Sequence, residues 1–455
     1  MKKRTRMQNN NAISEIVGSV ILLLIAVLSF SAIYLFVFPL PGYVAESNVD
    51  IQGSVSGEFP ELVHVGGETL QEYQIFINGN LYKKSENWNM GKKETLSLSF
   101  SEMDKTIEVT VVSKTDEGGS EIVFEGEFDN PFYNEKPYQG TPFIYSSLLQ
   151  NTSGEDLICI NGTSNDIDGD VVTSIYTWYC NDESFADLYL PFNTNSSDFT
   201  KDYMNSENKV AISNATWTDN GKVGGCYRFN TSTNGITCPL PSALNDLPNH
   251  DFSITLWINS TDINLDNNRV LEAYGDDQNY VQIFQYGSKI YASFSMDGNE
   301  YLLSSGTLNS GEWYHIGLRW DSYSNTSSLF VNGDECDLAT SNPGFTSGDK
   351  SVLSIGQKTD ETNKWTGYID EVYFYDHTVS ENHIYQQYLC SRNGNSDVSV
   401  IVSEETSVND IWSCIVIPND GHRDGDEYEA KSLKELIELG SATNHYIKIL
   451  EKING

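Results

Sequence analysis

The sequence predicts a mainly β protein that begins with one long α-helix. The chain contains 12% aromatic residues and 12 prolines in 455 residues, and beyond residue 43 it alternates apolar with polar side chains. This composition and alternation are typical of half-buried strands. Before residue 43, about 23 successive residues from Ile16 to Phe38 carry no charge. A helix of that length rises about 35 Å, enough to cross a hydrocarbon core of about 30 Å.

Charge predicts the orientation of this apolar segment. Four basic residues precede it at Lys2, Lys3, Arg4 and Arg6, while the whole chain has a net charge of −37. Basic residues stay on the cytoplasmic side of a membrane helix, so the bulk of the chain is expected outside. A secretory signal peptide is the alternative, but its apolar core would be shorter and end in small residues. The negative charge excludes nucleic acid and anionic membrane surfaces as partners of the bulk of the protein.

The apolar segment starts with the run Ala-Ile-Ser-Glu-Ile-Val-Gly, which extends from Ala12 to Gly18. This run places a carboxylate, Glu15, at the edge of the segment. A carboxylate near a helix start is favoured by the helix dipole, and Ser14 can act as the N-cap. A basic leader, this run and an unbroken apolar helix together resemble the N-terminus of archaeal type IV pilins. Many members of that family carry proline where Glu15 stands here.

The pilin resemblance implies a processing step and an assembly step. A prepilin peptidase would cut near Ala12 and Ile13 and remove the basic leader, residues 1–12. The helix of residues 13–43 would then leave the membrane and pack against other pilin subunits. A buried Glu15 would there meet the new α-amine of a neighbouring subunit, since an unpaired buried carboxylate is costly.

Residues 44–130 alternate in the manner of strands, with turn signals at Asn78-Gly79 and Gly118-Gly119. The run HVGGETL, followed by a strand and Asn-Gly, resembles the β-sandwich head of the same pilin family. His64 is a lone histidine beside a glycine pair, and we interpret it as a structural residue.

Two further segments, residues 131–186 and 393–455, each contain strand patterns but too few apolar residues for a core of their own. Together they resemble an immunoglobulin-like module of archaeal surface proteins, split by an insertion. The resemblance implies a disulfide between Cys159 and Cys414 beside Trp178, and a second one between Cys180 and Cys390. The seven cysteines of an exported chain suggest up to three disulfides and one odd thiol.

An acidic turn within the first of these segments holds three alternating carboxylates, Asp166, Asp168 and Asp170. Alternating carboxylates around a glycine can surround Ca²⁺, but the distal glutamate and full spacing of an EF-hand are missing. A plain acidic β-turn is the favoured interpretation. The sequence therefore requires no cofactor and leaves calcium open.

Residues 187–392 carry the most specific resemblance in the chain. The motifs FSITLWI, GEWYHIGLRWD, LFVNGDE, LSIGQK and WTGYIDEVYFY follow the order of a laminin-G-like domain of the concanavalin A-like jelly-roll class. This implies two packed antiparallel sheets and a glycan or protein ligand on the rim, for which aromatic side chains are candidates. We name Tyr274, Tyr280, Tyr286 and Tyr291.

Two local patterns of this region predict its secondary structure. Asn332-Gly333 is a hairpin turn of the favoured type, and Ser380 can cap a short closing helix, ENHIYQQY.

Other motif residues of this region have structural interpretations. Trp313, His315 and Trp320 are expected to pack in the core or rim, and Asp370-Glu371 matches a structural acidic pair of the family. Paired carboxylates can serve a glycosidase. The E-x-D-x-x-E pattern of jelly-roll enzymes is missing from this sequence, so we expect no catalytic site.

Asn-x-Ser/Thr acceptor sites for glycosylation agree with an exported chain. They occur at Asn151, Asn161, Asn195, Asn214, Asn230, Asn259 and Asn325.

The sequence thus predicts a pilin-like subunit in the cell membrane or an extracellular pilus, displaying a laminin-G-like domain for adhesion to glycans, cells or surfaces. Its expected partners are the prepilin peptidase, other pilin subunits, the membrane and the ligand of that domain. Two alternatives stay open: a single-pass membrane-anchored adhesin or receptor that never polymerises, and a polysaccharide-acting enzyme.

Overall fold

The structure, a computed structural model, describes residues 20, 23, 25, 48–56, 59–97, 105–114, 119–130, 133–230, 235–240, 250–264, 266–276, 279–296, 299–340 and 352–432. The chain divides into two compact units, Met1–Tyr133 and Asn134–Gly455. Within the described residues, no helix has the length and apolar character needed to span a membrane. The predicted helix of residues 13–43 lies outside the described residues except for three isolated positions.

The first unit is a pair of antiparallel sheets around one apolar core. One sheet has the order β1-β2-β5 and the other the order β4-β3-β6-β7. Asn78 and Gly79 join β3 to β4 with φ angles of 46° and 76°, as the Asn-Gly pattern predicts for a tight hairpin. The strands are β1 (Val49–Ser56), β2 (Phe59–Gly67), β3 (Leu70–Ile77), β4 (Asn80–Trp88), β5 (Lys93–Thr95), β6 (Thr106–Lys114) and β7 (Ser120–Asp129).

The core of this unit explains its histidine. Trp88, Tyr73 and Leu62 are fully or almost fully buried there. His64 is buried beside Trp88, with its ring centroid 6.2 Å from that of the indole, and its Nε2 is 2.7 Å from the carbonyl oxygen of Glu68. The His64 side chain therefore connects β2 to the backbone at Glu68, which is a structural role.

The second unit starts with short strands that we call, with their partners after residue 393, the host module. Their bounds are β8 (Tyr138–Gln139), β9 (Phe143–Ser146), β10 (Leu157–Ile160), β11 (Ser164–Asn165), β12 (Thr173–Cys180) and β13 (Glu183–Ser184). The later strands of the host module are β30 (Val398–Ile401), β31 (Trp412–Asn419), β32 (Tyr428–Glu429) and β33 (Lys431–Ser432), with a 3₁₀ helix at Ser403–Glu405.

Strands from both segments share the sheets of the host module. The orders are β30-β10-β9-β33 and β13-β12-β31-β32, and β8 pairs with β11. The eight residue pairs from Thr173↔Asn419 to Cys180↔Trp412 join β12 to β31. The buried cluster between the sheets contains Cys159, Trp178 and Cys414. The two segments of sequence thus build one core together.

Between these segments lies a larger two-sheet domain, residues 188–391. Its strands are β14 (Leu188–Leu190), β15 (Phe199–Lys201), β16 (Lys209–Ile212), β17 (Thr216–Thr218), β18 (Cys226–Phe229), β19 (Ile236–Pro239), β20 (Phe252–Ser260), β21 (Asp266–Asp276), β22 (Asn279–Tyr286), β23 (Lys289–Met296), β24 (Asn299–Ser304), β25 (Trp313–Asp321), β26 (Thr326–Val331), β27 (Asp334–Thr340), β28 (Val352–Ile355) and β29 (Gly367–Tyr375).

Two antiparallel sheets form this domain. The front sheet has the order β17-β18-β29-β20-β25-β26-β27, with β14 also paired to β29, and the back sheet has the order β15-β16-β19-β28-β21-β22-β23-β24. Alternate residues of both sheets, such as Leu256, Ile283 and Phe294, fill one large apolar core between them. Non-consecutive strands lie side by side in the middle of both sheets, at β18-β29-β20-β25 and β16-β19-β28-β21, as in a jelly roll.

A helix, α1 (Glu381–Ser391), closes this domain. Ser380 is its N-cap, and the Ser380 hydroxyl accepts a hydrogen bond from the backbone N–H of His383 at 3.1 Å, as the sequence predicts. His383 and Ile384 are the buried residues of the helix. The helix contacts β30 of the host module.

Candidate functional site

A row of polar residues crosses the outer face of the back sheet. Glu272 on β21 stands opposite Ser354 on β28 and Gln282 on β22, and Gln282 stands opposite Ser293 on β23. Residues in register share a face, and neighbours along a strand alternate between faces. The next residue along β21, Ala273, lies in the core. The polar row therefore lies on the side turned away from the core.

Glu272 is the most constrained member of this row. It is 1% exposed, and its Oε1 lies 3.3 Å from Nε of Arg269. Its Oε2 accepts hydrogen bonds from the backbone N–H and the hydroxyl of Thr359, at 2.7 and 2.6 Å. A buried carboxylate with this many partners holds a defined position, because removing Arg269 would leave a buried charge unpaired.

A β-bulge brings Arg269 and Glu272 to the same face. Residues three apart on a regular strand point to opposite faces. The register shifts between Arg269 and Leu271, so that Val270 is the extra residue of the bulge. Val270 and Leu271 are both fully buried in the core, while Arg269 turns outward with the polar row.

Aromatic residues flank this ion pair and form what we call the aromatic platform, Phe284, Tyr286 and Tyr291. The Arg269 guanidinium carbon lies 5.0 Å from the centre of the Phe284 ring. Phe284 and Tyr291 stack with centroids 5.4 Å apart and an angle of 16°, and Tyr286 meets Tyr291 edge-on at 6.3 Å. Tyr286 is 54% exposed, so the platform offers an accessible ring beside a fixed charge pair.

The other two predicted tyrosines lie on the same face. Tyr274 and Tyr280 pair across β21 and β22, and Lys358 Nζ lies 5.9 Å from the centre of the Tyr274 ring. The structure therefore brings together all four tyrosines that the sequence nominated. Tyr274 and Tyr280 lie on one side of Gln282, and Tyr286 and Tyr291 lie on the other side.

Sequence reasoning missed the polar partners of these tyrosines. A usable signal was present: in NRVLEAY and YVQIFQY, polar or charged residues interrupt strands whose other residues are apolar. The missed residues are Arg269, Glu272, Gln282, Phe284, Lys358 and Thr359.

In the acidic turn of the host module, the carboxylates accept hydrogen bonds from backbone N–H groups. Oδ1 of Asp166 accepts hydrogen bonds from the backbone N–H groups of Asp168, Gly169 and Asp170, at 2.8 to 3.3 Å. Asp168 Oδ2 accepts from the backbone N–H of Glu135 at 2.6 Å. In the described part of the chain, no group of three or more His, Cys, Asp or Glu residues has an arrangement suited to a metal ion. The geometry fits the favoured interpretation of a structural turn.

All seven cysteines are free thiols in the structure, so neither implied disulfide is formed in it. Cys159 and Cys414 are both fully buried, and burial, together with a hydrogen bond to the Cys159 thiol, raises the pKa of Cys414. These two thiols are therefore adjacent, and their pairing stays a prediction. The Cys180 thiol accepts a hydrogen bond from the Asn181 amide at 3.5 Å, and its pairing with Cys390 likewise stays a prediction.

The predicted glycosylation sites differ in accessibility. Asn151, Asn195 and Asn214 are exposed. Asn259 is an unsuitable acceptor in the folded chain, because it lies within β20, is 8% exposed and donates its amide to the Gly311 carbonyl. The Asn161 amide likewise donates to the Ser174 hydroxyl. The remaining acceptors, Asn230 and Asn325, are partly buried.

The motif residues with structural interpretations are buried. His315 and Trp320 are 3% and 0% exposed, and Trp313 is partly buried. Asp370 Oδ2 accepts hydrogen bonds from the backbone N–H groups of Lys222 and Val223, at 2.7 and 3.0 Å. Asp370 thus fixes the loop before β18.

The predicted processing and assembly residues lie outside the described residues. They are Ala12, Ile13, Glu15 and Gly18.

Two packed antiparallel sheets of this topology define a domain of the jelly-roll class. Residues 230–385 match the family model described as the concanavalin A-like lectin/glucanases superfamily. The chain therefore contains a laminin-G-like domain of the concanavalin A-like class, which confirms that part of the prediction.

Two proteins match part of the chain in sequence. The chain is 28% identical over 147 residues to pentraxin-related protein PTX3 of Homo sapiens, covering 29% of this chain and 37% of that protein. It is 31% identical over 112 residues to the same protein of Bos taurus, covering 24% of this chain and 28% of the relative. The chain therefore spans 37% of the length of the human relative and 28% of that of the bovine relative.

Solved structures show a weaker likeness. The binding domain of Paraclostridial Mosquitocidal Protein 1 is 17% identical with a TM-score of 0.38, and the botulinum neurotoxin type G receptor binding domain is 12% identical with a TM-score of 0.37. Each match covers 45% of this chain and 51% of the other. Likeness at this level supports no inference about function.

Proposed function

We propose that the laminin-G-like domain binds a carbohydrate on the outer face of its back sheet. The observation that carries this proposal is the aromatic platform beside the Arg269–Glu272 ion pair. Sugar rings have apolar faces that stack on aromatic rings, and their hydroxyls need hydrogen-bonding groups held in place. The back sheet places the exposed Tyr286 ring beside the fixed Arg269–Glu272 pair, and the match to the concanavalin A-like lectin/glucanases superfamily supports the same ligand class.

The whole protein is, in this proposal, an exported adhesin anchored by its N-terminal segment. The basic leader of residues 1–12 and the apolar residues 13–43 support processing by a prepilin peptidase and assembly with other pilin subunits. The protein would then reside in the cell membrane with its β domains outside, or in an extracellular pilus. N-terminal sequencing of the mature protein tests this: a new terminus near Ile13 supports the pilin route, whereas an intact Met1 supports a single-pass anchor.

The last part of the proposal is that the laminin-G-like domain binds its carbohydrate without hydrolysing it. The carboxylates of the candidate face are engaged as structural partners, since Glu272 is held by Arg269 and Thr359. An activity screen of the full-length chain on the polysaccharides that it binds tests this expectation. Release of reducing ends would instead support the enzyme alternative.

A glycan array with the detergent-solubilised full-length chain tests the carbohydrate proposal directly. The matched variants are Tyr286→Ala with Tyr291→Ala on the platform, and Tyr323→Ala as control. Tyr323 is 96% exposed on the turn between β25 and β26 of the front sheet, away from the candidate face. Aromatic contacts contribute about 0.5–1.5 kcal/mol each, so the double variant is expected to lose about tenfold in affinity.

The control must bind like the wild type. Equal glycan binding by all three chains would refute the placement of the site. If the array shows no glycan and a protein partner is captured through the same face, the protein-ligand form of the laminin-G-like domain would replace this proposal.

A further inference from the structure

A cleft of about 90 Å³ lies within the second unit, on the outer side of the front sheet. Front-sheet residues such as Trp257 and Tyr373 form one wall, α1 forms a second, and β12 and β30 of the host module form the third. This cleft is separate from the aromatic platform, because the two lie on outer faces of opposite sheets. Neither the matched family description nor the proposed carbohydrate face assigns it a ligand.

The cleft is lined by buried polar atoms that lack partners among the described residues. They are both ring nitrogens of His383, Nδ1 of His315 and Oε1 of Gln387. His315 and His383 are each 3% exposed. Burial lowers the pKa of both imidazoles to about 3, so both rings are neutral at physiological pH. A neutral imidazole offers one donor and one acceptor, and leaving these unpaired is costly.

The lining favours an uncharged occupant. No lysine or arginine is present among the described residues that line the cleft. Its one carboxyl, Glu371, already accepts a hydrogen bond from the Tyr189 hydroxyl at 2.8 Å, and burial raises its pKa to about 8. Neither an anion nor a cation therefore finds an unpaired opposite charge here. Donors and acceptors on a neutral molecule would satisfy the histidine nitrogens and the Gln387 oxygen.

Size limits the occupant further. One water molecule, which has a single non-hydrogen atom, needs about 10–15 Å³ of cavity volume. The cleft of about 90 Å³ therefore accommodates a ligand of about six to nine non-hydrogen atoms. Its walls are not uniformly polar: Tyr189 and Tyr373 stack with their centroids 3.9 Å apart, and Trp257 adds a third ring. Apolar ring faces with a few convergent polar atoms are typical of small-molecule sites.

We propose that this cleft binds a small neutral polyol of about six to nine non-hydrogen atoms, held by His383, His315 and Gln387 against the aromatic wall. The hydroxyl groups of a polyol both donate and accept, as the unpaired atoms require, and its C–H faces match the rings. The proposal is independent of the carbohydrate face, since a ligand of this size is smaller than a sugar ring with its substituents.

Isothermal titration of the full-length chain with erythritol, a four-carbon polyol of suitable size, tests the proposal. Saturable binding is expected for the wild type, and His383→Phe, which keeps a ring but removes both nitrogens, is expected to weaken binding at least tenfold. Tyr323→Ala should bind erythritol like the wild type, because that side chain is 96% exposed on the turn between β25 and β26 and does not line the cleft. Tetramethylammonium, a compact cation, should not compete.

Two results would overturn the proposal. The first is the lack of saturable erythritol binding to the wild type, which would mean that the cleft holds water only. The second is equal binding by wild type and His383→Phe. Should that variant fail to fold, the ring ¹⁵N signals of His383 in the wild type decide: they must shift on adding erythritol, and unshifted signals would place any binding elsewhere.

Discussion

Replacing Glu371 by glutamine should change how stability depends on pH. Burial raises the pKa of the Glu371 carboxyl from 4.5 to about 8. The folded protein therefore holds this proton at pH values where the unfolded chain has released it. This contribution to stability is fully present below pH 4.5 and is lost as the pH rises through about 8. Glutamine keeps an oxygen that accepts from the Tyr189 hydroxyl but cannot ionise.

The magnitude follows from the pKa difference. Each pKa unit corresponds to about 1.4 kcal/mol, so ionising Glu371 inside the folded protein costs at most about 5 kcal/mol. Asp370, the preceding residue, is fully buried as well, and burial, followed by the charge of Glu371, raises its pKa well above the usual range. The free energy of unfolding of the wild type should therefore fall relative to that of Glu371→Gln as the pH rises from 5 to 9.

Denaturant unfolding followed by tryptophan fluorescence at several pH values measures this difference. Glu207→Gln removes an exposed carboxyl in the same domain and serves as control, with no expected change in the pH profile. The reasoning fails if wild type and Glu371→Gln keep the same stability difference at pH 5 and pH 9. In that case the carboxyl would ionise in the folded state without penalty, and it could not be as buried as the structure shows.

Three further predictions concern single sites. Asp166→Ala removes the acceptor of three backbone N–H groups, so it should lower stability by about 1–2 kcal/mol, equally with calcium and with EDTA in thermal unfolding; a loss confined to calcium buffer would indicate a metal site. Gly356→Ala should destabilise by about 1–3 kcal/mol in denaturant unfolding, since Gly356 has a φ of 78° and a Cβ would lie 2.1 Å from the Phe229 ring; an unchanged midpoint would contradict this packing. Under oxidising conditions, mass spectrometry should find Cys159 linked to Cys414 with a gain of about 2–4 kcal/mol; two persistently free thiols would contradict the pairing.

The features that sequence predicts well are those set by a few neighbouring residues. The Ser380 cap of α1 and the Asn332-Gly333 turn, with φ angles of 55° and 86°, both form as expected. Local backbone preferences dictate such features almost without tertiary context. The order of motifs across residues 187–392 resembles that of laminin-G-like domains, and this resemblance likewise predicts the jelly-roll class.

The candidate site depends on contacts that no local pattern records. Arg269 and Glu272 lie on one face only because of the bulge at Val270, and a bulge interrupts the very alternation from which strand faces are predicted. Thr359 reaches Glu272 from a loop 87 positions further along the chain. A local pattern can also predict a site that the fold removes. Asn259 matches the glycosylation pattern, but strand pairing on both sides of β20 buries it.

The way in which the laminin-G-like domain joins the host module supports the choice of the back sheet as the ligand face. β14 and α1, the first and last elements of the domain, both pack on the front-sheet side, where α1 contacts β30. The outer face of the front sheet thus borders the host module and forms one wall of the cleft. A ligand as large as a polysaccharide reaches a face turned away from the point of attachment more easily than one covered by it. In this arrangement, the attachment side holds the small cleft, which suits a small ligand, and the opposite side holds the aromatic platform, whose Tyr286 ring is 54% exposed and can meet a larger one.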